Sequence, residues 1–97
     1  MYIFDEDIYL KELKEYVDLT YKTHYGKSKY QATEVIIDSN HGIGFTLGNI
    51  IKYAKRYGHK GSRKDWRMDI LKIIHYALIL LYTHDKNQED EPDASVN

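Results

Sequence analysis

The chain contains no cysteine. That removes disulfides, thiolate nucleophiles and cysteine-rich zinc sites, and it fits the cytosol. Long hydrophobic runs are also missing. The longest, IIHYALILLY at 73–82, is interrupted by His75 and is too short to span a bilayer. It reads as a buried helix, and no membrane association is expected. The opening MYIFDEDIYL is acidic and has no basic n-region, so no signal peptide is expected. No GxxxxGK[ST] occurs, which excludes phosphoryl transfer of the P-loop kind. The histidines His24, His41, His59, His75 and His84 show neither HxxxH nor HExxH spacing, so no metal or other cofactor is expected. The single proline, Pro92, lies in an acidic tail without hydrophobic periodicity.

Ninety-seven residues make one domain with a modest core, a size at which oligomerisation often adds buried surface. Net charge is −1, but the charge is segregated. Residues 1–18 hold six acids against Lys11 and Lys14, and residues 85–97 hold five against Lys86. Between them, residues 47–76 carry eight cations: Lys52, Lys55, Arg56, Lys60, Arg63, Lys64, Arg67 and Lys72. Only Asp65 and Asp69 oppose these within the stretch. Such asymmetry points to a charged partner or to docking between unlike faces of identical subunits. Ten tyrosines suit core edges, subunit interfaces and base stacking alike.

The pattern predicts a mainly α fold, a compact three- to four-helix domain over 1–84 with a central basic helical hairpin and a disordered acidic tail at 85–97. Asp5 is the expected N-cap of a first helix over about 6–22, with Leu10, Leu13, Val17 and Tyr21 on one stripe. Residues 23–30 read as a loop. Residues 31–38 read as a short helix or, because Val35, Ile36 and Ile37 are consecutive and β-branched, as a short β element near 35–37. SNHGIG at 39–44 reads as a turn. The next helix is expected from about Thr46 to Tyr57, with Ile50, Ile51, Ala54 and Tyr57 facing inward and Gly58 closing it. Ser62 with Asp65 resembles a capping box opening the last helix, over about 63–84. Its expected buried stripe is Trp66, Ile70, Ile73, Ile74, Ala77, Leu80 and Leu81.

Helical spacing puts Asn49, Lys52, Tyr53 and Arg56 on one face, and Asp65, Asp69, Lys72 and Tyr76 on another. The GHKGS turn brings these faces together, so Asp65 and Asp69 are expected to pair with Lys52 or Arg56. One reading is a solvated face of weak surface ion pairs. The other is a preorganised anion site, in which the acids fix Arg and Lys while donors stay free for phosphate oxygens. The amides opening the last helix would add to it. Glu34, Asp38 and Asp69 are the central carboxylates that could hold magnesium.

LGNIIKYAKRYGHKG followed by KDWRMDILKIIHYALILL resembles the SaV-like family of small phage proteins, a domain of unknown function. Leu47, Gly48, Asn49, Lys52, Tyr53, Arg56, Gly58 and Lys60 fit its first helix, and Asp69, Lys72 and Tyr76 its second. His24-Tyr25 and Glu34-Val35-Ile36 fit upstream elements; Tyr57 departs from the pattern. The likeness covers about residues 24–82. It implies a phage origin and action in the host cytoplasm, and some relatives carry a nucleotide-kinase label.

The expected function is binding of a small phosphorylated nucleotide by a homo-oligomer, as a sponge that sequesters a host immune nucleotide signal. No catalytic residue is assigned. Lys52, Arg56, Lys60 and Lys72 would hold phosphate, and Asn49 would read a base or ribose edge. Tyr25 and Tyr53 would stack on a base, with His24 beside them. The alternatives are a nucleotide kinase or metal-dependent hydrolase using Glu34, Asp38 and Asp69, or a nucleic-acid or host-protein binder. The acidic flanks disfavour a long polyanion.

Overall fold

Four α-helices in sequence build the fold: α1 (Glu6–Thr20), α2 (Ser28–Asp38), α3 (Gly42–Arg56) and α4 (Arg63–Gln88). A π-helical turn, Tyr21–Tyr25, carries α1 toward α2. The structure is a computed structural model that describes residues 1–25 and 28–88, with the side chains of 24–31 and of Gln88 outside the description. Residues 85–88, expected in the disordered tail, instead continue α4, and the rest of the expected tail lies outside the described residues. The β alternative at 35–37 is overturned, because those residues lie inside α2. No strand occurs among the described residues.

Local chemistry explains the ends. Asp5 occupies the N-cap of α1 in a left-handed conformation (φ 58°), and its side chain makes no capping bond, contrary to expectation. Glu6 Oε1 instead accepts the Phe4 N–H at 2.8 Å, outside the helix. α2 closes on Asn40 at φ 66°, with His41 N–H donating to Ile36 O and Asn40 N–H to Ile37 O. Asparagine tolerates that conformation better than most residues, and this bond pair is the Schellman closure. Of the loop expected at 23–30, residues 23–25 belong to the helical turn and 28–30 open α2, while 26–27 lie outside the described residues. α3 begins at Gly42, inside the expected SNHGIG turn. A Cβ on Gly42 would lie 2.9 Å from Thr83 Cγ2, so the missing side chain lets α3 and α4 meet closely. Gly48, expected in a first turn, is thereby mid-helix.

The α3–α4 hairpin is the main pairing; α1 rests on α4, and α2 on α3. In its turn Gly58 (φ 80°) follows the C-cap Tyr57, and Gly61 takes φ 84°. Both need the freedom of glycine. Trp66 Nε1 donates to Lys60 O at 3.1 Å and pins the turn to α4. Asp65 Oδ2 accepts from Ser62 N–H (2.9 Å) and Ser62 Oγ (3.1 Å), the acid's half of the expected capping box.

Packing departs most from expectation. Among the described residues the one buried hydrophobic side chain is Leu13, while Thr20, Thr46, Asp69, His75 and Thr83 are buried polar groups. The threonine hydroxyls are satisfied within their own helices: Thr46 Oγ1 donates to Gly42 O (2.8 Å), Thr83 Oγ1 to Ile79 O (2.9 Å) and Thr20 Oγ1 to Val17 O (2.7 Å). Of the stripe expected on the first helix, Leu10 on α1 and Tyr21 in the π-helical turn are exposed, and the inward set on α1 is Leu13, Tyr16, Val17 and Thr20. On α4, Ile70, Ile74, Ala77 and Leu81 of the expected buried stripe are exposed. On α3, Ile51 and Ala54 point to solvent, while Thr46, Asn49, Tyr53 and Arg56 are buried or half-buried. Ile50 of the expected inner face is half-buried, and Lys52 of the expected polar face is exposed. The rest of that polar face, expected to lie near the polar face of α4, is packed against it.

Candidate functional site

The seam between α3 and α4 centres on Tyr53. Lys52 Nζ lies 4.6 Å from its ring centroid, Lys72 Nζ 5.0 Å and Arg56 Cζ 5.7 Å. The first and third come from α3 and the second from α4, so the hairpin converges three cations on one aromatic ring. Each cation is drawn to the ring's negative face, which holds like charges closer than open solvent would. Tyr53 also stacks on Tyr76 of α4, with centroids 6.1 Å apart and planes 17° from parallel. Phe45 meets Tyr76 edge-on at 5.8 Å.

Asp69 anchors the seam from below. It is 1% exposed, and Arg56 Nε lies 3.5 Å from its Oδ1. That is ion-pair range but too long for a good hydrogen bond, and Arg56 Nε and both Asp69 oxygens have no hydrogen-bond partner. A carboxylate so placed needs its cation nearby. The Nε edge of Arg56 faces the acid, which leaves the terminal nitrogens available for another anion. Lys52 and Lys72 have no carboxylate partner among the described residues. Three cations against one acid leave the seam net positive.

Burial pushes the Tyr76 hydroxyl above its ordinary pKa, helped by Tyr53 and then Tyr16. It does the same for Tyr16, with Tyr53 adding to it. These phenols therefore stay neutral donors and acceptors beside the cations.

The site residues expected from sequence divide. Lys52, Tyr53, Arg56 and Lys72 come together, and Asp69 meets Arg56. Asn49 lies on the same face, but its Nδ2 donates to Phe45 O at 2.9 Å within its own helix. Lys60 sits exposed in the turn, where its carbonyl receives Trp66. Asp65 pairs with neither Lys52 nor Arg56; it holds Ser62, whose backbone N–H is the main cause of a lowered Asp65 pKa. The Ser62 amide, one of those expected to bind anions, is thus engaged. Arg67 leaves the basic group too. It grips Glu12 of α1, with one terminal nitrogen 2.7 Å from Oε1 and the other on Oε2, and that bond holds the Glu12 carboxyl below its usual value. His24 and Tyr25 lie in the π-helical turn, with side chains outside the description. Tyr76 and Phe45 were not chosen as site residues. The available signal was their spacing: Tyr76 is four positions after Lys72, and Phe45 four before Asn49.

The carboxylates proposed for magnesium do not assemble. Glu34 and Asp38 line a groove of about 550 Å³ between α1, α2 and α4, with His75 at its wall. Asp69 lies in the α3–α4 seam, and Asp38 Oδ1 is 3.5 Å from Lys86 Nζ. No group of three or more His, Asp or Glu able to hold a metal occurs among the described residues. Burial lowers the pKa of His75, so it stays neutral. Its ring meets Tyr16 edge-on at 5.9 Å. No helix among the described residues is long and apolar enough to cross a membrane.

Fold and site define an all-α domain with a cation-rich aromatic seam between its last two helices. Residues 19–78 match the family described as protein of unknown function (DUF3310), and the chain belongs to that family. The match takes in α2, α3 and most of α4, hence the whole seam. No curated protein and no solved structure matches the chain.

Proposed function

We propose that the α3–α4 seam binds a small phosphorylated nucleotide without converting it. The observation that carries this reading is the convergence of Lys52, Arg56 and Lys72 on Tyr53, with Asp69 buried behind Arg56. A phosphate group is the anion whose charge and several oxygens suit two ammonium groups and a forked guanidinium. The patch is compact, and the sequence on either side of it is acidic, which favours a small ligand over a duplex. A base has the Tyr53–Tyr76 pair beside it for stacking.

Sequestration is favoured over turnover because no P-loop occurs and the central carboxylates are dispersed. The finer reading is a homo-oligomeric sponge for a nucleotide signal of host immunity. It draws on the chain's size and charge layout, and its phage setting in the host cytoplasm follows from the SaV-like resemblance. A nucleotide kinase is the second reading, and it rests on the label some SaV-like relatives carry.

The experiment is incubation with mono-, di-, tri- and cyclic nucleotides, followed by separation, heat release and mass spectrometry. Recovery of intact nucleotide fits sequestration. Recovery of a phosphorylated or cleaved product transfers the seam to an enzyme. Lys52→Ala with Lys72→Ala is expected to weaken binding by roughly a hundredfold, about tenfold per charge-assisted contact. Normal binding by that variant removes the seam from the account.

A further inference from the structure

α3 exposes a stripe that no described residue covers. Ile43 (40% exposed), Leu47 (43%) and Ile51 (64%) recur every four residues, joined by Ala54. Beside them sit Gly44 and Gly48, where an added Cβ would meet nothing within 4 Å. Glycine inside a helix costs roughly 1 kcal/mol against alanine. Among the described residues nothing gives a steric reason for either glycine, and both leave room for a close neighbour. Residues 89–97, EDEPDASVN, contain no aromatic residue, leucine or isoleucine, so the chain's own tail is unsuited to cover the stripe.

Charge and apolar surface together indicate the occupant. α3 contains no acid and carries Lys52, Lys55 and Arg56. α1 carries Glu6, Asp7, Glu12, Glu15 and Asp18 against Lys11 and Lys14. The outer side of α1 is also partly apolar, with Ile8 (60% exposed) and Leu19 (56%) flanking Glu15. Lys55 follows Ile51 on α3 as Leu19 follows Glu15 on α1, four positions on. A chain with one buried hydrophobic residue among those described needs apolar cover from the moment it folds. A second copy is the partner present whenever the chain is made.

We infer that the outer face of α3 docks on the outer face of α1 of a second copy. A two-fold axis makes the contact reciprocal, so each pair of subunits buries two α3–α1 contacts. The glycines let the partner helix approach closely, and Lys55 meets Glu15 across the contact. This inference does not depend on what the seam binds.

Size-exclusion chromatography with light scattering tests it on the full chain at micromolar concentration. The wild-type mass is expected at twice 11.5 kDa or a higher even multiple. Leu47→Glu is expected to give the single-chain mass. Should that variant lose its helical circular dichroism, the surface changes Lys55→Glu and Glu15→Lys serve in its place. Each alone is expected to weaken the assembly at least tenfold, and the two combined to restore it. Three results overturn the proposal: a wild-type monomer, an unchanged mass in Leu47→Glu, or a double exchange no better than its singles. A monomer that floats with anionic lipid vesicles overturns it as well, and assigns the stripe to a membrane surface.

Discussion

The two faces of α3 reverse the order expected of an amphipathic helix. The inward face presents Thr46, Asn49, Tyr53 and Arg56, and the outward face Ile43, Leu47 and Ile51. In most small domains the aliphatic stripe is the buried one. Here α4 offers a complement to the polar side: Asp69 for Arg56, Tyr76 for Tyr53, and Lys72 as a further cation around the same ring. The inner face is held by specific pairs and fails if one partner is removed. The outer face carries nonspecific apolar surface, whose effect appears only in the presence of another molecule. On the two proposals made above, one helix separates ligand chemistry from assembly chemistry.

The sharpest way to break the contrast is Arg56→Ala. It leaves the buried Asp69 carboxylate without its counter-ion, and the expected loss is about 3 kcal/mol of unfolding free energy in urea titration. An Ile51→Ala change on the outer face should cost the dissociated chain less than about 0.5 kcal/mol. Equal losses would erase the distinction between the faces. Tyr76→Ala comes next, with an expected loss of about 2 kcal/mol as the stack and its edge contact disappear.

A smaller effect concerns pH. Burial holds the folded pKa of His75 below its ordinary value. Its contribution is therefore complete above the unfolded value of about 6.5 and is lost as pH falls through the folded value. Tyr16 and Tyr76 behave in the opposite sense. Their folded values are raised, so their contribution is present below about 10 and is lost as pH rises through the folded values. Urea midpoints measured from pH 7 down to 4.5 should fall, and His75→Leu should flatten part of that slope. An unchanged slope in His75→Leu would mean that His75 is not the group titrating.

The smallest effect is diagnostic by its sign. Gly48→Ala should stabilise the dissociated chain by about 0.5–1 kcal/mol, because the site is helical and open. In the assembled protein the same methyl group should weaken association. Stabilisation in both states would leave the glycine without a role in close approach.

Sequence spacing was a good guide wherever the deciding interactions were local. Gly58 ends α3, Ser62 and Asp65 open α4, and Arg56 pairs with Asp69 across the intervening turn, as helical periodicity suggests. Lys52, Tyr53, Lys72 and Tyr76 were also expected on facing sides. Which side of α3 is buried was only partly legible. Hydrophobic periodicity selects Ile50, Ile51, Ala54 and Tyr57 as the inside, and of these Ile50 alone is half-buried, because the α4 stripe they would meet carries Asp69, Lys72 and Tyr76. The tertiary complement overrides the pattern. The beginnings of α2 and α3 were hidden for another reason: Ser28 and Gly42 are weak helix formers, and Gly42 is present for its closeness to Thr83. The loss of Arg67 to Glu12 joins α1 to α4 across a long sequence separation, which spacing on one helix does not reveal.

Calorimetric titration with a nucleoside and its mono-, di- and triphosphates tests the central claim most directly. Affinity is expected to rise with each added phosphate, to fall with added salt, and to drop by roughly a hundredfold in Lys52→Ala with Lys72→Ala. A nucleoside that binds as tightly as its triphosphate, or a double variant with undiminished affinity, would contradict the assignment of the α3–α4 seam to phosphate.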